Sequence, residues 1–287
     1  MKYRFMQRYG SGFTVKKMCR VLGVSRSGYY SYLRQGLSQR HKENVWLTKK
    51  IRDIWEENRR VYGSPRITAD LHYQGIRVGE NRVSRLMREN DIKALIKKRY
   101  KKTTDSKNII YQADDLLEGD FSVSGPNEIW ISDITYIWTW EGWLYLAAVM
   151  EVFNREIIGW SLRPYLKKEL VTSALRKAFF KHNPHQPGLI FHSDRGSQYG
   201  SDEVVKMLKA WDIRQSMSPS CFKNSMIESF FGSLEKELLF NVIFYTRAQA
   251  KRSIFEYIEI FYNRRRRHSS LNYLRPFEYS KHVLQTF

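Results

Sequence analysis

Apolar positions near the start of the chain repeat with the spacing of a helix. Thr14 is a candidate cap, residues 15–22 carry an apolar face, and Gly23 ends the predicted helix. Ser25 can cap a second helix after a short turn, so residues 1–40 are predicted to form a helix-turn-helix segment. The second helix carries the side chains expected to contact DNA: Arg26, Tyr30 and Arg34. The alternative is a plain helical hairpin.

A second set of helical patterns covers residues 41–96. A long helix is predicted from about Asn44 to Arg59, with its apolar residues on one side. Ser64 is a candidate cap with Pro65 in the first position of the next helix, and a third helix runs from about Glu80 to Glu89. The third helix carries candidate DNA contacts: Arg82, Arg85 and Arg88. This unit is predicted to be a small helical DNA-binding domain, and the alternative is a solvated arginine-rich face.

Residues 97–128 lose any sustained period and pass from basic to acidic and turn-forming residues, which is typical of a linker. The basic run begins with Lys97 and Lys98, which would follow a DNA phosphate backbone. A flexible charged tether has the same composition.

From residue 129 the pattern changes to alternating helices and strands. Aromatic and β-branched runs on either side of Glu141 and Gly142 predict a hairpin, and a third strand follows Asn154. The predicted order is βββαβαβα, which suits a mixed five-stranded sheet with helices on both faces. We therefore assign residues 129–287 to one α/β domain that ends in a basic tail.

The charge of the chain indicates the class of partner. Lys and Arg number 49 against 29 Asp and Glu, so the net charge is +20, which indicates a polyanionic partner, with nucleic acid favoured over a membrane surface. The chain lacks the long apolar run of a membrane helix and begins without the apolar core of a signal peptide, so a cytoplasmic protein without a membrane partner is expected. Two distant cysteines, Cys19 and Cys221, predict neither a disulfide framework nor a zinc site.

Three carboxylates stand where the pattern does not favour them. Asp133 lies inside a predicted strand, Asp194 follows the end of another, and Glu228 interrupts the apolar residues of the last helix. Carboxylates from separate elements repel one another unless cations neutralise them, and oxygen ligands with few histidines favour Mg²⁺ or Mn²⁺. A pair of such ions promotes phosphoryl transfer. Solvated turn and helix residues are the alternative.

Four stretches of the chain, in this order, resemble motifs of one protein family: "WISDITYI", "HSDRGSQY", "NSMIESFFGSLEKEL" and "YIEIFYNRRRRHSSLNYLRPFEY". Together they closely resemble the DDE transposases of bacterial insertion sequences, in particular the second reading frame of the IS3 group. These belong to the retroviral-integrase superfamily, and the resemblance runs from near residue 14 to about residue 280.

The resemblance implies a ribonuclease-H-like integrase core, preceded by all-α helix-turn-helix units. It implies that Asp133, Asp194 and Glu228 bind two Mg²⁺ ions, with Asp133 bridging both. It also implies hydrolysis of a phosphodiester at the end of the element, followed by attack of the freed 3′-OH on a second phosphodiester. Double-stranded DNA, a homo-oligomer on the paired ends and an upstream-frame product are the implied partners.

The chain departs from the family in two places. Only 33 residues separate Asp194 from Glu228, fewer than usual, and Lys223 stands where relatives carry Asp. Seven positions after Glu228 the family has Lys or Arg for a phosphate near the cut, whereas this chain has Glu235 followed by Lys236. A carboxylate there repels phosphate, although the side chain of Lys236 can still reach DNA.

A basic run follows the last predicted amphipathic helix. It consists of Arg264, Arg265, Arg266, Arg267 and His268. We expect contact with the DNA backbone, because such contacts supply most sequence-independent affinity. The alternative is a solvated basic turn.

The predicted function is a metal-dependent DNA transposase that cleaves and joins strands. The main alternative is a catalytically weakened DNA-binding regulator of the element, since the short loop and Glu235 would impair the core. A simple ribonuclease-H-like nuclease is a third class, for which two helical DNA-binding units would be superfluous.

Overall fold

The first helices form a small unit with its own core. The computed structural model describes residues 2–35, 38–95, 112–182, 184, 188–218 and 224–284. Three helices come first: α1 (Lys2–Tyr9), α2 (Val15–Leu22) and α3 (Arg26–Gln35). Thr14 caps α2 as predicted, and Gly23 ends it with a left-handed φ of 62°. Helix α1 was not predicted from the sequence; its Met6 is buried against Met18 of α2.

The second helical unit, residues 38–95, contains α4 (Gln39–Glu57), α5 (Ser64–Tyr73) and α6 (Glu80–Glu89). Helix α4 begins five residues earlier than predicted, because Ser38 caps it by accepting a hydrogen bond from the N–H of His41. Gly63 is the cap of α5, and Ser64, the predicted cap, is its first residue.

The sheet has the predicted mixed five-stranded architecture. Its strands are β1 (Ile129–Thr139), β2 (Gly142–Glu151), β3 (Ile157–Arg163), β4 (Ile190–Asp194) and β5 (Arg214–Ser218), in the spatial order β3-β2-β1-β4-β5. Strand β2 is antiparallel to both β1 and β3, whereas β4 runs parallel to both β1 and β5.

Helices cover both faces of the sheet. One face packs against α7 (Lys168–His182) and α8 (Asp202–Ala210), and the other against α9 (Ser225–Leu234) and α10 (Arg247–Phe255). Helix α7 packs closely on β3, and Gly159 permits this, since a Cβ at that position would stand 2.2 Å from the carbonyl oxygen of Ala174. The predicted fold class is confirmed.

Two helices on the α9 side end in wider π turns. Helix α9 continues through Glu235–Leu239, and α10 continues through Glu256–Tyr262. A loop over residues 263–268 then leads to a short 3₁₀ turn, Ser269–Leu271, and to α11 (Pro276–Leu284). Turns of this kind inside helices are frequent at functional sites. Among the described helices, none is long and apolar enough to cross a membrane.

The second half of the predicted linker packs against the sheet. The N–H of Leu116 donates to Ser216 Oγ at 2.9 Å, and the N–H of Met217 donates to the carbonyl of Asp114 at 3.1 Å. Leu117 is buried in the core. Residues 112–128 therefore extend the α/β domain, and Lys97 and Lys98 lie outside the described residues.

The second helical unit shares a core with the α/β domain. A single cluster of buried side chains includes Ile51, Tyr62 and Ile67 from the helical unit and Phe231 and Ile254 from the α9 side of the sheet. A shared apolar core of this kind favours a fixed placement of the two parts over independent motion.

Tyr62 is one of the residues that join these two parts, and we predict that Tyr62→Phe weakens the junction. Its hydroxyl donates to the carbonyl of Arg265 at 3.1 Å and accepts from the N–H of Arg267 at 2.8 Å. The variant leaves a buried N–H unpaired, so the free energy of unfolding should fall by about 1–3 kcal/mol in urea titrations. Tyr73→Phe, on an exposed side chain of α5, is the control. An equal effect of both variants would contradict the role of the Tyr62 hydroxyl.

Candidate active site

The parallel pairing of β1 with β4 aligns the two aspartates. Ile129 pairs with Ile190 and Ile131 with His192, a constant offset of 61 residues (190 − 129 = 61). Continued for two residues beyond the last pair, the same offset brings Asp194 opposite Asp133, because 194 − 133 is also 61. Neighbouring strands lie about 4.8 Å apart, so the two carboxylates start from adjacent backbone positions. Side chains alternate along a strand, which places both aspartates on the face of Ile131 and His192.

Helix α9 brings Glu228 to this same face. Its apolar side, with Ile227 and Phe231, is buried in the core cluster that also contains Ile131. The amide Nδ2 of Asn224, the residue that caps α9, donates to the carbonyl of Ser132 at 3.2 Å. The start of the helix is thereby fixed beside Asp133, and Glu228 follows in its first turn.

Backbone groups orient the two aspartates. The N–H of Ile134 donates to Asp133 Oδ1 at 2.7 Å, and the N–H of Gly196 donates to Asp194 Oδ1 at 3.0 Å. A Cβ on Gly196 would stand 3.0 Å from that same oxygen, so a larger residue would crowd the carboxylate. Behind the strand, the buried hydroxyl of Tyr199 lies 3.0 Å from Ser132 Oγ. The aspartates therefore sit on a rigid support.

The charges of the site oppose one another. The pKa of Asp133 is raised to about 7, by burial above all and by the charges of Asp194 and Glu228, against the hydrogen bond from the N–H of Ile134. Burial likewise raises the pKa of Asp194, against the hydrogen bond from Gly196. Without a cation, Asp133 is therefore harder to ionise than an ordinary aspartate.

The donor chemistry fits a hard divalent cation, because all three side chains offer carboxylate oxygens in a half-buried setting. In the described part of the chain, no three His, Cys, Asp or Glu side chains are gathered so as to hold one metal ion together. The charges of Asp194 and Glu228 do reach Asp133, because both add to the effect of burial in raising its pKa.

The predicted DNA contacts that the structure describes fall into three groups: exposed, half-buried and buried. The exposed ones are Arg26, Tyr30, Arg34, Arg88, Lys236, Arg264 and Arg265. Arg82 and Arg85 are half-buried and paired within the protein, Arg82 with Glu43 and Arg85 with Glu89. Lys236 is next to Glu235, which is half-buried where α9 passes into its π turn.

The prediction is wrong for Arg266, Arg267 and His268, which are buried. The guanidinium of Arg266 forms two-point hydrogen bonds with Glu237, and Arg267 Nε donates to Asp70 Oδ1 at 2.6 Å. Burial lowers the pKa of His268 well below its usual value, so the ring is neutral. These side chains hold the protein together and present no charge to DNA.

Sequence reasoning also missed the residues that support the site. Asn224 stands just before the helix of Glu228, which is the usual position of a cap, and this could have marked it. Glu237 offers no local signal, because its partner Arg266 is 29 residues away.

Comparison with known proteins agrees with this architecture. An HTH-like domain matches residues 42–100, and two integrase core domain models match residues 123–220 and 228–284. A 31 kDa protein of insertion element IS600 from Shigella sonnei is 39% identical over 90% of this chain and 96% of its own length. The transposase InsF of insertion sequence IS3A from Escherichia coli is 36% identical over 96% of this chain and 97% of its own length.

Among solved structures, the catalytic core domain of HTLV-2 integrase in complex with magnesium has a TM-score of 0.41 and 16% identity. The match covers 54% of this chain and 97% of the HTLV-2 integrase domain. The full-length relatives and the matched domains decide the family. This chain belongs to the IS3 family of insertion-sequence transposases, with an HTH-like domain ahead of an integrase core domain.

Proposed function

We propose that Asp133, Asp194 and Glu228 are the catalytic carboxylates with which this transposase cleaves and joins DNA strands. The register of β1 against β4 supports the assignment most directly, because it aligns Asp133 with Asp194 on the face that α9 covers. The hydrogen bond from the amide of Asn224 to the carbonyl of Ser132 holds the start of α9 beside β1, which supports Glu228 as the third carboxylate.

Two Mg²⁺ or Mn²⁺ ions are the proposed cofactors, with Asp133 binding both and Asp194 and Glu228 each binding one. When bound, such ions activate the attacking oxygen and stabilise the leaving oxygen of a phosphodiester. The protein itself holds the carboxylates in place through the N–H groups of Ile134 and Gly196. A bound cation would also offset the burial and the repulsion from Asp194 and Glu228 that raise the pKa of Asp133.

The proposed reaction is hydrolysis at the end of the element, followed by attack of the new 3′-OH on a second phosphodiester. Exposed basic side chains from three parts of the chain are proposed to bind the DNA backbone: Arg26 and Arg34, Arg88, and Arg264 and Arg265. Because two ends must be joined, a homo-oligomer on the DNA is proposed. An upstream-frame product is a further proposed partner.

Glu235 favours a second function, that of a DNA-binding regulator with weakened catalysis. Its carboxylate lies at the end of α9, near the exposed Lys236, where it would repel a phosphate. Cleavage and joining assays distinguish the two functions, since a regulator would bind end-containing DNA and process it slowly or not at all.

We predict that Asp133→Asn abolishes strand transfer and leaves DNA binding intact. Strand transfer with Mg²⁺ should fall by more than about 100-fold, because losing a metal ligand costs at least as much as losing a residue that orients one. Binding to end-containing DNA, measured by fluorescence anisotropy in EDTA, should not change.

The control is Asp202→Asn, an exposed carboxylate in the first turn of α8. The melting temperature of Asp133→Asn should equal or exceed that of the wild type, since the variant removes an unfavourable charge. Persistent strand transfer by Asp133→Asn would disprove the assignment.

We further predict that Glu235→Lys tightens DNA binding. Replacing a repelling charge by an attracting one should lower the dissociation constant and steepen the dependence of log K on log [KCl] by roughly one unit. Anisotropy titrations at several KCl concentrations measure both. Glu203→Lys makes the same charge change on α8, on the opposite face of the sheet, and is the control. Weaker binding by Glu235→Lys would show that this end of α9 does not face DNA.

A further inference from the structure

A loop after the α10 helix contacts three parts of the molecule. We call residues 263–268 the connector loop. It begins at Asn263, whose Oδ1 accepts from the N–H of Ile157 at 2.9 Å and whose Nδ2 donates to the carbonyl of Ile157 at 3.0 Å. Because Ile157 is the first residue of β3, the loop starts from a fixed point on the sheet.

Arg266 of the connector loop holds the helix that carries Glu228. Its Nη2 donates to Glu237 Oε1 at 2.8 Å and to Ser233 Oγ at 3.0 Å, and its Nε donates to Glu237 Oε2 at 2.9 Å. An α-helix turns by about 100° per residue, so Ser233, five residues after Glu228 within α9, lies about 140° around the helix from it. Arg266 therefore binds α9 on the side that faces away from Glu228.

The carboxylate of Glu237, which accepts hydrogen bonds from Arg266, is buried. The Glu237 side chain is 4% exposed, and it also accepts a hydrogen bond of 2.9 Å from the Tyr257 hydroxyl. Arg66 of α5 contributes a longer ion pair, with Nη1 at 3.6 Å from Glu237 Oε1. The second helical unit thus reaches the rear of the catalytic helix directly.

Arg267 turns the other way and binds the second helical unit. Its side chain is 3% exposed, and its Nε donates to Asp70 Oδ1 on α5 at 2.6 Å. The backbone around it is fixed to the same unit, since Tyr62 bridges the carbonyl of Arg265 and the N–H of Arg267. Two adjacent arginines therefore connect α9 to α5.

The type of contact matters for what this connection does. Buried ion pairs contribute little net stability compared with well-packed apolar residues of similar volume. A guanidinium fork bound at two points does, however, fix both the distance and the direction of its carboxylate. The network is thus better suited to setting a position than to adding stability.

We propose that Arg266 and Arg267 are positioning residues, through which the placement of the second helical unit sets the position of Glu228. Arg266 fixes α9, and Arg267 fixes the connector loop to Asp70. The functional part of this inference rests on the proposed role of Glu228 as a metal ligand. The mechanical part, that a change at Asp70 loosens α9, does not.

The test is hydrogen–deuterium exchange of the full chain, read at the amides of α9. Arg266→Lys keeps the charge and loses the two-point contact, and Asp70→Asn removes the charge that binds Arg267. Both should speed the exchange of α9 amides by about tenfold or more, through easier local opening. The matched controls are Arg264→Lys, an exposed neighbour, and Glu89→Gln, whose partner Arg85 lies on the same helix.

Mn²⁺ binding and turnover provide the functional measurements. Both variants should bind Mn²⁺ more weakly in calorimetry and lose about 100-fold in the rate of strand transfer at saturating DNA, the effect expected of a misplacement near 1 Å. The KM for end-containing DNA should stay unchanged. Should either variant fail to fold, Tyr257→Phe, which removes only one hydroxyl from the Arg266 acceptor, should show the same pattern at smaller size.

Unchanged α9 exchange in the folded variants would overturn the inference, as would an equal rise in exchange across all helices. Faster exchange at α9 with unchanged Mn²⁺ affinity would overturn the link to Glu228. Failure of the proposed function gives a different result, because the wild type itself would then lack Mn²⁺ binding that depends on Asp133.

Discussion

The candidate active site depends on holding the buried carboxylate of Asp133 within reach of the charges of Asp194 and Glu228. The free-energy cost of ionising this carboxylate is visible in its pKa, which burial and the two acidic neighbours raise to about 7. Three kinds of contact hold the acidic residues in place. They are the pairing of β1 with β4, the hydrogen bonds from the N–H groups of Ile134 and Gly196, and the hydrogen bond from the amide of Asn224. An arrangement that is unfavourable by itself is expected where a cation supplies the missing charge.

The helical part of the molecule is tied into the same framework. Glu237 and Asp70 belong to different parts of the chain, and the adjacent residues Arg266 and Arg267 bind them. These arginines and the shared apolar core give the second helical unit a fixed place behind α9.

Much of the fold and of the site could be predicted from the sequence, because the relevant signals are local. Alternating apolar residues marked the strands, and Asp133 stood out as an acid inside one of them. The fate of the basic run could not be predicted in the same way. Arg264 and Arg265 are exposed, whereas Arg267 is buried against a carboxylate 197 residues away, and nothing in the local sequence distinguishes them.

The most direct test of the central claim is a crystal structure of the full chain with Mn²⁺, read from anomalous scattering. Our account predicts two peaks, both in contact with Asp133, with Asp194 binding one ion and Glu228 the other. The same crystals of the Asp133→Asn variant should lose both peaks. Peaks that avoid Asp133, or that persist in the variant, would contradict the assignment of these carboxylates as the metal-binding site.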